Sequence, residues 1–181
     1  MNFMFDGYTL GNLNLANRFV FPPLKTAYGK PQGVVTERQL AFYRQIARNG
    51  PGLIILEPVS VTPEGREHPK QLCIHLPESV SELKKIVDVI HLENRLACLH
   101  LNHAGAAANT KATGTSSKAP SVITCPTTGQ TAEVLSQEDI KAIIAGYQSA
   151  AQKAKDAGFD LIEIQGGHGC LLYTSDAADD N

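Results

Sequence analysis

Short apolar runs alternate along this chain with longer amphipathic segments, and this alternation constrains the fold more than any other feature. Runs of strand length occur at 18–21, 52–57, 96–101 and 160–165. The run at 52–57 is almost continuously apolar, which is typical of a parallel strand buried on both faces. The segments between them carry apolar residues at helical spacing. Strands that alternate with helices predict a parallel sheet built from βαβ units.

Turn and capping signals mark the boundaries of these elements. Gly11 and Asn12 separate two short alternating runs and predict a β-hairpin over residues 8–15. Asn49–Gly50 and Gly158 predict the ends of two helices. Three capping-box patterns predict helix starts: Thr36 with Gln39, Ser79 with Glu82, and Ser136 with Asp139.

Polar side chains collect where the predicted strands end, and their positions favour one architecture. They are Lys25, Glu57, His100, Asn102, His103, Gln165 and His168. In a TIM barrel the carboxyl ends of the strands form the catalytic face. A doubly wound nucleotide-binding sheet would carry a Gly-rich phosphate turn after its first strand, which Pro22–Pro23 cannot form. We predict an α/β fold, an incomplete TIM (β/α)8 barrel of roughly four β/α units after an N-terminal β-hairpin, with the open doubly wound sheet as the alternative.

The composition is that of an ordinary globular domain, with 43% hydrophobic residues, 19% charged residues and a net charge of -2. It indicates neither a nucleic-acid nor a membrane partner, and the N-terminus has no basic segment followed by a long apolar run. Four widely spaced cysteines without a C-x-x-C pair favour thiols over a disulfide framework. We expect a cytoplasmic protein that acts on a small-molecule substrate, and we leave a homo-oligomer open.

The last twelve residues do not continue the pattern. Residues 170–181 carry neither a closing strand nor an amphipathic helix, and they resemble the in-frame translation of a sequencing adapter. A foreign segment of this kind carries no information about the native fold. We therefore predict a native portion at 1–169, cut in the middle of a site, and a non-native tail at 170–181. A genuine polar C-terminal tail is the alternative.

A set of short motifs carries a family resemblance from Phe5 to Gly169. The motifs are Asn17–Pro23, Val61–Arg66, His103–Gly105, Lys118–Ser121, Ala157–Ile164 and His168–Gly169. In this order and spacing they resemble the old yellow enzyme family of FMN-dependent oxidoreductases. The resemblance implies a barrel that holds FMN at its C-terminal face, with NADH or NADPH as reductant and an activated alkene, such as an α,β-unsaturated carbonyl compound, as substrate. Residues 1–169 would form the N-terminal half of this FMN-binding TIM barrel, and the fragment alone would be inactive.

The resemblance assigns four residues to the flavin: Pro23, Lys25, Pro58 and His100. Lys25 stands where the family usually has Thr or Cys, and His100 where it usually has Gln. A cation near the ring should stabilise anionic reduced flavin, so Lys25 is expected to raise the reduction potential, although it has the alternative of a solvated loop lysine. Pro58 has no amide hydrogen to donate. Strand alternation directs His100 and Asn102 into the barrel mouth, opposite to Leu99 and Leu101.

The resemblance also assigns Gln165 and His168 as the catalytic pair that holds the substrate carbonyl oxygen while hydride adds to the β carbon. Such donors stabilise a developing enolate. The family's tyrosine proton donor would fall at Cys170, so we interpret it as lost with the start of the tail. By strand parity Glu57 and Glu163 also point inward, and we expect both to be structural, bonded to backbone or to Arg18.

One other class of enzyme remains open. His100, Asn102, His103 and His168 lie at strand ends, where imidazoles are good zinc ligands. A metal-dependent TIM-barrel hydrolase is therefore the alternative function, although strand parity directs His100 and His103 to opposite faces. For His168 the plain alternative is an ordinary loop histidine.

Overall fold

The computed structural model of the protein describes residues 3–31 and 33–172. The α-helices are α1 (Glu37–Arg48), α2 (Ser79–His91), α3 (Thr110–Thr113) and α4 (Gln137–Asp156). The strands are β1 (Tyr8–Leu10), β2 (Leu13–Leu15), β3 (Val20–Phe21), β4 (Leu53–Ile55), β5 (Val59–Ser60), β6 (Leu96–Asn102), β7 (Lys118–Ala119), β8 (Glu133–Val134) and β9 (Leu161–Ile164).

The predicted N-terminal hairpin is confirmed. β1 pairs with β2 in antiparallel register, with Leu10 opposite Leu13. Gly11 in the turn has a φ of 60°, a left-handed conformation that glycine adopts without a steric penalty.

The main sheet is parallel, and its strands follow one another in chain order. β3 pairs with β4, β4 with β6, and β6 with β9. β5 pairs with the end of β6, at Leu101 and Asn102. A doubly wound sheet would reverse its strand order at a switch point, and this sheet has no such reversal among the described residues.

The helices cover one face of this sheet. α1 packs against α2, and α2 packs against α4. Ile54, Leu56, Leu99 and Leu101 share a buried core with side chains of these helices. On the opposite face Leu53 and Cys98, near the amino ends of their strands, pack with Leu15 of the hairpin. Helices on a single face and sequential strands are the arrangement of a barrel, so the incomplete barrel is confirmed as three complete β/α units and a fourth strand, with no closure of the sheet within the described residues.

Two of the three predicted helix caps are confirmed. Thr36 and Ser136 both cap their helices through reciprocal capping boxes. The prediction at Ser79 is wrong, because Glu78 is the N-cap residue and Ser79 lies inside the helix. The Ser79 hydroxyl donates to the carbonyls of Ile74 and Leu76 in the preceding loop. It therefore does not accept a backbone N–H of the first helical turn, as a capping side chain would.

Glu82, the other member of the predicted box, accepts the backbone N–H of Val35 at 3.0 Å. At the far end of α4 the C-cap is Ala157, one residue before the predicted Gly158, which follows with a φ of 91°. β5 and the short β7–β8 pair in the long loop after β6 were not predicted, because two-residue strands leave no periodic pattern.

Part of the predicted tail can be described. Cys170 and Leu171 are buried, and the Leu171 N–H donates to the His103 carbonyl at 3.0 Å. Residues 173–181 lie outside the described residues, and the boundary at residue 169 stays a prediction. Within the described ranges, no helix combines the length and the apolar character needed to cross a membrane.

Candidate functional site

Two adjoining cavities lie at the carboxyl ends of the parallel strands. The larger, of about 360 Å³, is lined by Pro23, Lys25, Pro58, Gln165, His168 and Cys170, among others. The smaller, of about 250 Å³, is lined by His100 together with four of the same residues, Pro23, Pro58, Gln165 and His168. The fold therefore brings together all six residues that the sequence predicted for the site, while their roles stay predictions.

The loop after β3 carries Lys25 to the larger cavity. Thr26, the next residue, donates its hydroxyl to the Glu57 carboxylate at 2.7 Å and so ties this loop to the end of β4. The Lys25 ammonium forms an ion pair with Glu67, which lines the same cavity. The positive charge predicted near the flavin thus has a counter-charge beside it.

Glu57 is a buried carboxylate that holds the end of β4 against α1. Its Oε1 accepts from Thr26 and from Gln39 Nε2, the latter at 2.9 Å, and its backbone N–H donates to the Tyr43 hydroxyl at 2.9 Å. Burial raises the pKa of Glu57, and these donors partly offset that shift. The expectation that Arg18 pairs with Glu57 is wrong, because the Arg18 guanidinium stacks on the aromatic rings of Phe3 and Tyr8. Glu57 turns to the helix side, since the strand ends before it and parity no longer applies.

His100 points into the barrel mouth, as strand alternation predicted. The residue is only 5% exposed, whereas Leu99 and Leu101 pack towards the helices. Nδ1 lies 2.5 Å from Glu163 Oε1, and Nε2 lies 3.0 Å from Gln165 Oε1. The expectation that Glu163 bonds backbone or Arg18 is therefore wrong. With both ring nitrogens engaged, His100 has only its ring surface to offer a ligand.

Gln165 and His168 differ in how firmly they are held. Gln165 is buried, and its Oε1 also accepts from Asn102 Nδ2 at 2.7 Å. His168 is exposed and has a φ of 59°, in the left-handed region that non-glycine residues seldom adopt. Asn102 Nδ2 further approaches Cys170 Sγ at 3.2 Å, and burial raises the pKa of the Cys170 thiol.

The described residues do not form the metal site of the alternative hydrolase. His103 faces a different cavity, where its Nε2 lies 3.9 Å from Glu64, and its Nδ1 accepts the Gly105 N–H at 3.1 Å. His100 lines the smaller of the two adjoining cavities. Across residues 3–31 and 33–172, no three His, Cys, Asp or Glu side chains are grouped so that they could hold a metal ion.

Two residues of the site, Glu67 and Gln71, were not found from the sequence. Gln71 Oε1 accepts the Glu67 N–H at 2.7 Å, and Gln71 Nε2 donates to the Pro58 carbonyl and to Asn102 Oδ1, both at 3.2 Å. These residues lie in an irregular segment between β5 and α2, where no periodicity indicates the direction of a side chain.

Comparison with known proteins places this chain in a family. A sequence profile of the NADH:flavin oxidoreductase / NADH oxidase family matches residues 3–174. An NADPH dehydrogenase from Clostridium acetobutylicum is 34% identical over 171 residues, which are 93% of this chain and 49% of that protein.

Solved structures lead to the same family. An old yellow enzyme from a Pichia species superposes with a TM-score of 0.87 at 28% identity, covering 94% of this chain and 47% of the other. Morphinone reductase in complex with tetrahydroNAD superposes with a TM-score of 0.83 at 27% identity, covering 93% of this chain and 50% of the other. The chain thus spans about half the length of the relatives it matches. From its profile match and its fold, the chain belongs to the NADH:flavin oxidoreductase / NADH oxidase family.

Proposed function

We propose that this chain forms the first half of an FMN-dependent ene-reductase, which transfers hydride from NADH or NADPH through FMN to an activated alkene. The observation that carries the proposal is the convergence of Gln165 and His168 with Pro23, Lys25, Pro58 and His100 on the two adjoining cavities at the strand ends. By itself the polypeptide is expected to be inactive, since these residues belong to only half of a barrel.

The residues around the cavities fit a flavin. The isoalloxazine ring needs hydrogen-bond donors for its carbonyl oxygens and flat apolar contacts for its faces. Lys25 supplies a donor beside the larger cavity, while Pro23, Pro58 and the His100 ring supply surfaces without free donors. Because Glu67 pairs with Lys25, we expect a smaller rise in reduction potential than an isolated cation would cause.

FMN, when bound, supplies the hydride chemistry. The task of the protein is to hold the alkene and to stabilise the negative charge that develops on its carbonyl oxygen as hydride reaches the β carbon. Gln165 donates through a neutral amide, and His168 through its imidazole. Preorganised donors of this kind lower the barrier because they need no reorganisation during the reaction.

The test is the cofactor and alkene dependence of the complete enzyme. We expect it to purify yellow with one FMN per chain, and its flavin, once reduced by NADPH or NADH, to be reoxidised anaerobically by cyclohex-2-enone. Visible absorbance and metal analysis make the measurement. A folded, colourless protein loaded with zinc would overturn the proposal, and so would a reduced flavin that the enone fails to reoxidise.

A further inference from the structure

A continuous set of hydrogen bonds crosses the floor of the site from the backbone of the 67–71 segment to His100. It runs from Glu67 N–H through Gln71, Asn102 and Gln165 to His100. The orientation of an amide side chain follows from its partners, because its oxygen and nitrogen have nearly the same shape. The direction of the whole set is therefore decided wherever one member meets a backbone group of known polarity.

Gln71 is that member, and backbone groups fix both ends of its amide. Its oxygen faces the Glu67 N–H at 2.7 Å, which can only donate, and its nitrogen faces the Pro58 carbonyl at 3.2 Å, which can only accept. Gln71 therefore presents an N–H to Asn102, at 3.2 Å. Asn102 must meet that donor with Oδ1, which leaves its Nδ2 directed at Gln165.

The same reasoning determines the orientation of the Gln165 amide. Asn102 Nδ2 lies 2.7 Å from the Gln165 side chain, so the atom that faces it is the acceptor Oε1. His100 Nε2 lies 3.0 Å from the same oxygen and must carry a hydrogen. His100 Nδ1 then faces the Glu163 carboxylate across 2.5 Å.

We propose that Gln71, Asn102 and His100 are positioning residues that lock the Gln165 amide with its N–H₂ group towards the cavities, and so make the site select ligands whose oxygen accepts a hydrogen bond. The inference rests on the proposed function, because it takes Gln165 to be the residue that meets the ligand oxygen. Two donors on Oε1 make the reversed amide costly, since reversal would set N–H groups against N–H groups in a buried place.

Asn102→Asp tests the lock with an almost isosteric change. The new carboxylate would still accept from Gln71, but it would present an oxygen to Gln165 Oε1 in place of a donor. Gln165 is then expected to rotate and turn its carbonyl towards the cavity. The surface variant Asn12→Asp, in the hairpin turn, makes the same change of charge and serves as the matched control.

The readout is equilibrium binding of cyclohexanone and cyclohexanol to the oxidised complete enzyme, followed by the flavin spectrum. Neither probe has a carbon–carbon double bond, so neither is reduced as an alkene during the titration. The ketone oxygen only accepts, whereas the alcohol also donates and can bond a reversed amide. In Asn102→Asp we expect ketone affinity to fall about tenfold and alcohol affinity to change less than about threefold, on the scale of one lost hydrogen bond. Asn12→Asp should bind both probes as the unmodified enzyme does.

The outcomes separate this inference from the proposed function. If Gln165→Leu weakens ketone binding while Asn102→Asp leaves ketone affinity unchanged, the positioning role is refuted and Gln165 remains the ligand residue. If Gln165→Leu leaves binding of both probes unchanged, the proposed function itself fails at this residue. Should Asn102→Asp not fold, Asn102→Leu, which leaves Gln165 Oε1 with one donor, must lower the ratio of ketone to alcohol affinity by about threefold relative to the unmodified enzyme, and an unchanged ratio would refute the lock.

Discussion

Replacement of His168 by alanine gives the sharpest test of the proposed catalytic pair, Gln165 and His168. The imidazole is exposed, lies at both adjoining cavities and would supply one of two donors to the substrate oxygen. Loss of one such donor typically slows the chemical step by about 10²-fold, or about 2.7 kcal/mol of transition-state stabilisation. We therefore expect His168→Ala to retain FMN and to slow reoxidation of the flavin by cyclohex-2-enone by roughly 10²-fold.

The backbone at this position shapes the design of the control. With a φ of 59°, His168 is in a conformation that alanine tolerates poorly and asparagine tolerates well. His168→Asn keeps a side-chain donor and an acceptable backbone, so it should recover part of the rate if hydrogen bonding is the cause. If both variants lose activity equally, backbone strain does not explain the effect, because asparagine tolerates this φ, and a side-chain donor of another shape does not replace the imidazole.

Stopped-flow measurement of the two half-reactions separates the roles. Reduction of the flavin by nicotinamide develops no enolate, so we expect His168→Ala to affect it less than the oxidative half-reaction. Gln165→His, which restores a partner common in old yellow enzymes, should keep or raise activity towards enones. Unchanged enone turnover in His168→Ala would refute the reasoning and leave His168 as an ordinary loop histidine.

Three further predictions concern the framework of the site. Tyr43→Phe deprives the buried Glu57 N–H of its acceptor and should lower the free energy of unfolding of the complete enzyme by roughly 1–3 kcal/mol in urea titrations. The control Tyr28→Phe, at a half-buried position, should change it by less than about 0.5 kcal/mol, and equal effects would contradict the role of the Tyr43 hydroxyl. The pKa of Glu57 is raised from its usual value of 4.5, so its contribution to stability is present below that value and is lost as the pH rises through the folded-state pKa. Glu57→Gln should remove this pH dependence, and parallel stability curves of the variant and the unmodified enzyme from pH 4 to 8 would contradict it. The polypeptide 1–181 alone should aggregate or self-associate, because Ile162 and Ile164 on β9 are 43% and 51% exposed beside an edge that is unpaired among the described residues. A monomer in analytical ultracentrifugation that also melts cooperatively in calorimetry would refute this.

The sequence by itself determined the elements and their order. Thr36 and Ser136 cap their helices with partners three residues away, and Gly11 supplies the turn of the hairpin. These are local interactions, so the residues that decide them lie next to one another in the chain. Strand alternation likewise placed His100 and Asn102 on one face of β6, because the two-residue period of a strand needs no knowledge of its neighbours.

Tertiary structure decided the partners of the polar groups. Ser79 bonds loop carbonyls and caps no helix, Glu57 bonds α1 and not Arg18, and Lys25 meets Glu67. Each partner comes from a distant or irregular segment, where sequence carries no periodic signal and a long side chain has several groups within reach. The direction of the Gln165 amide depends on Gln71, 94 residues earlier in the chain, because only the folded barrel brings the ends of its strands together around one site.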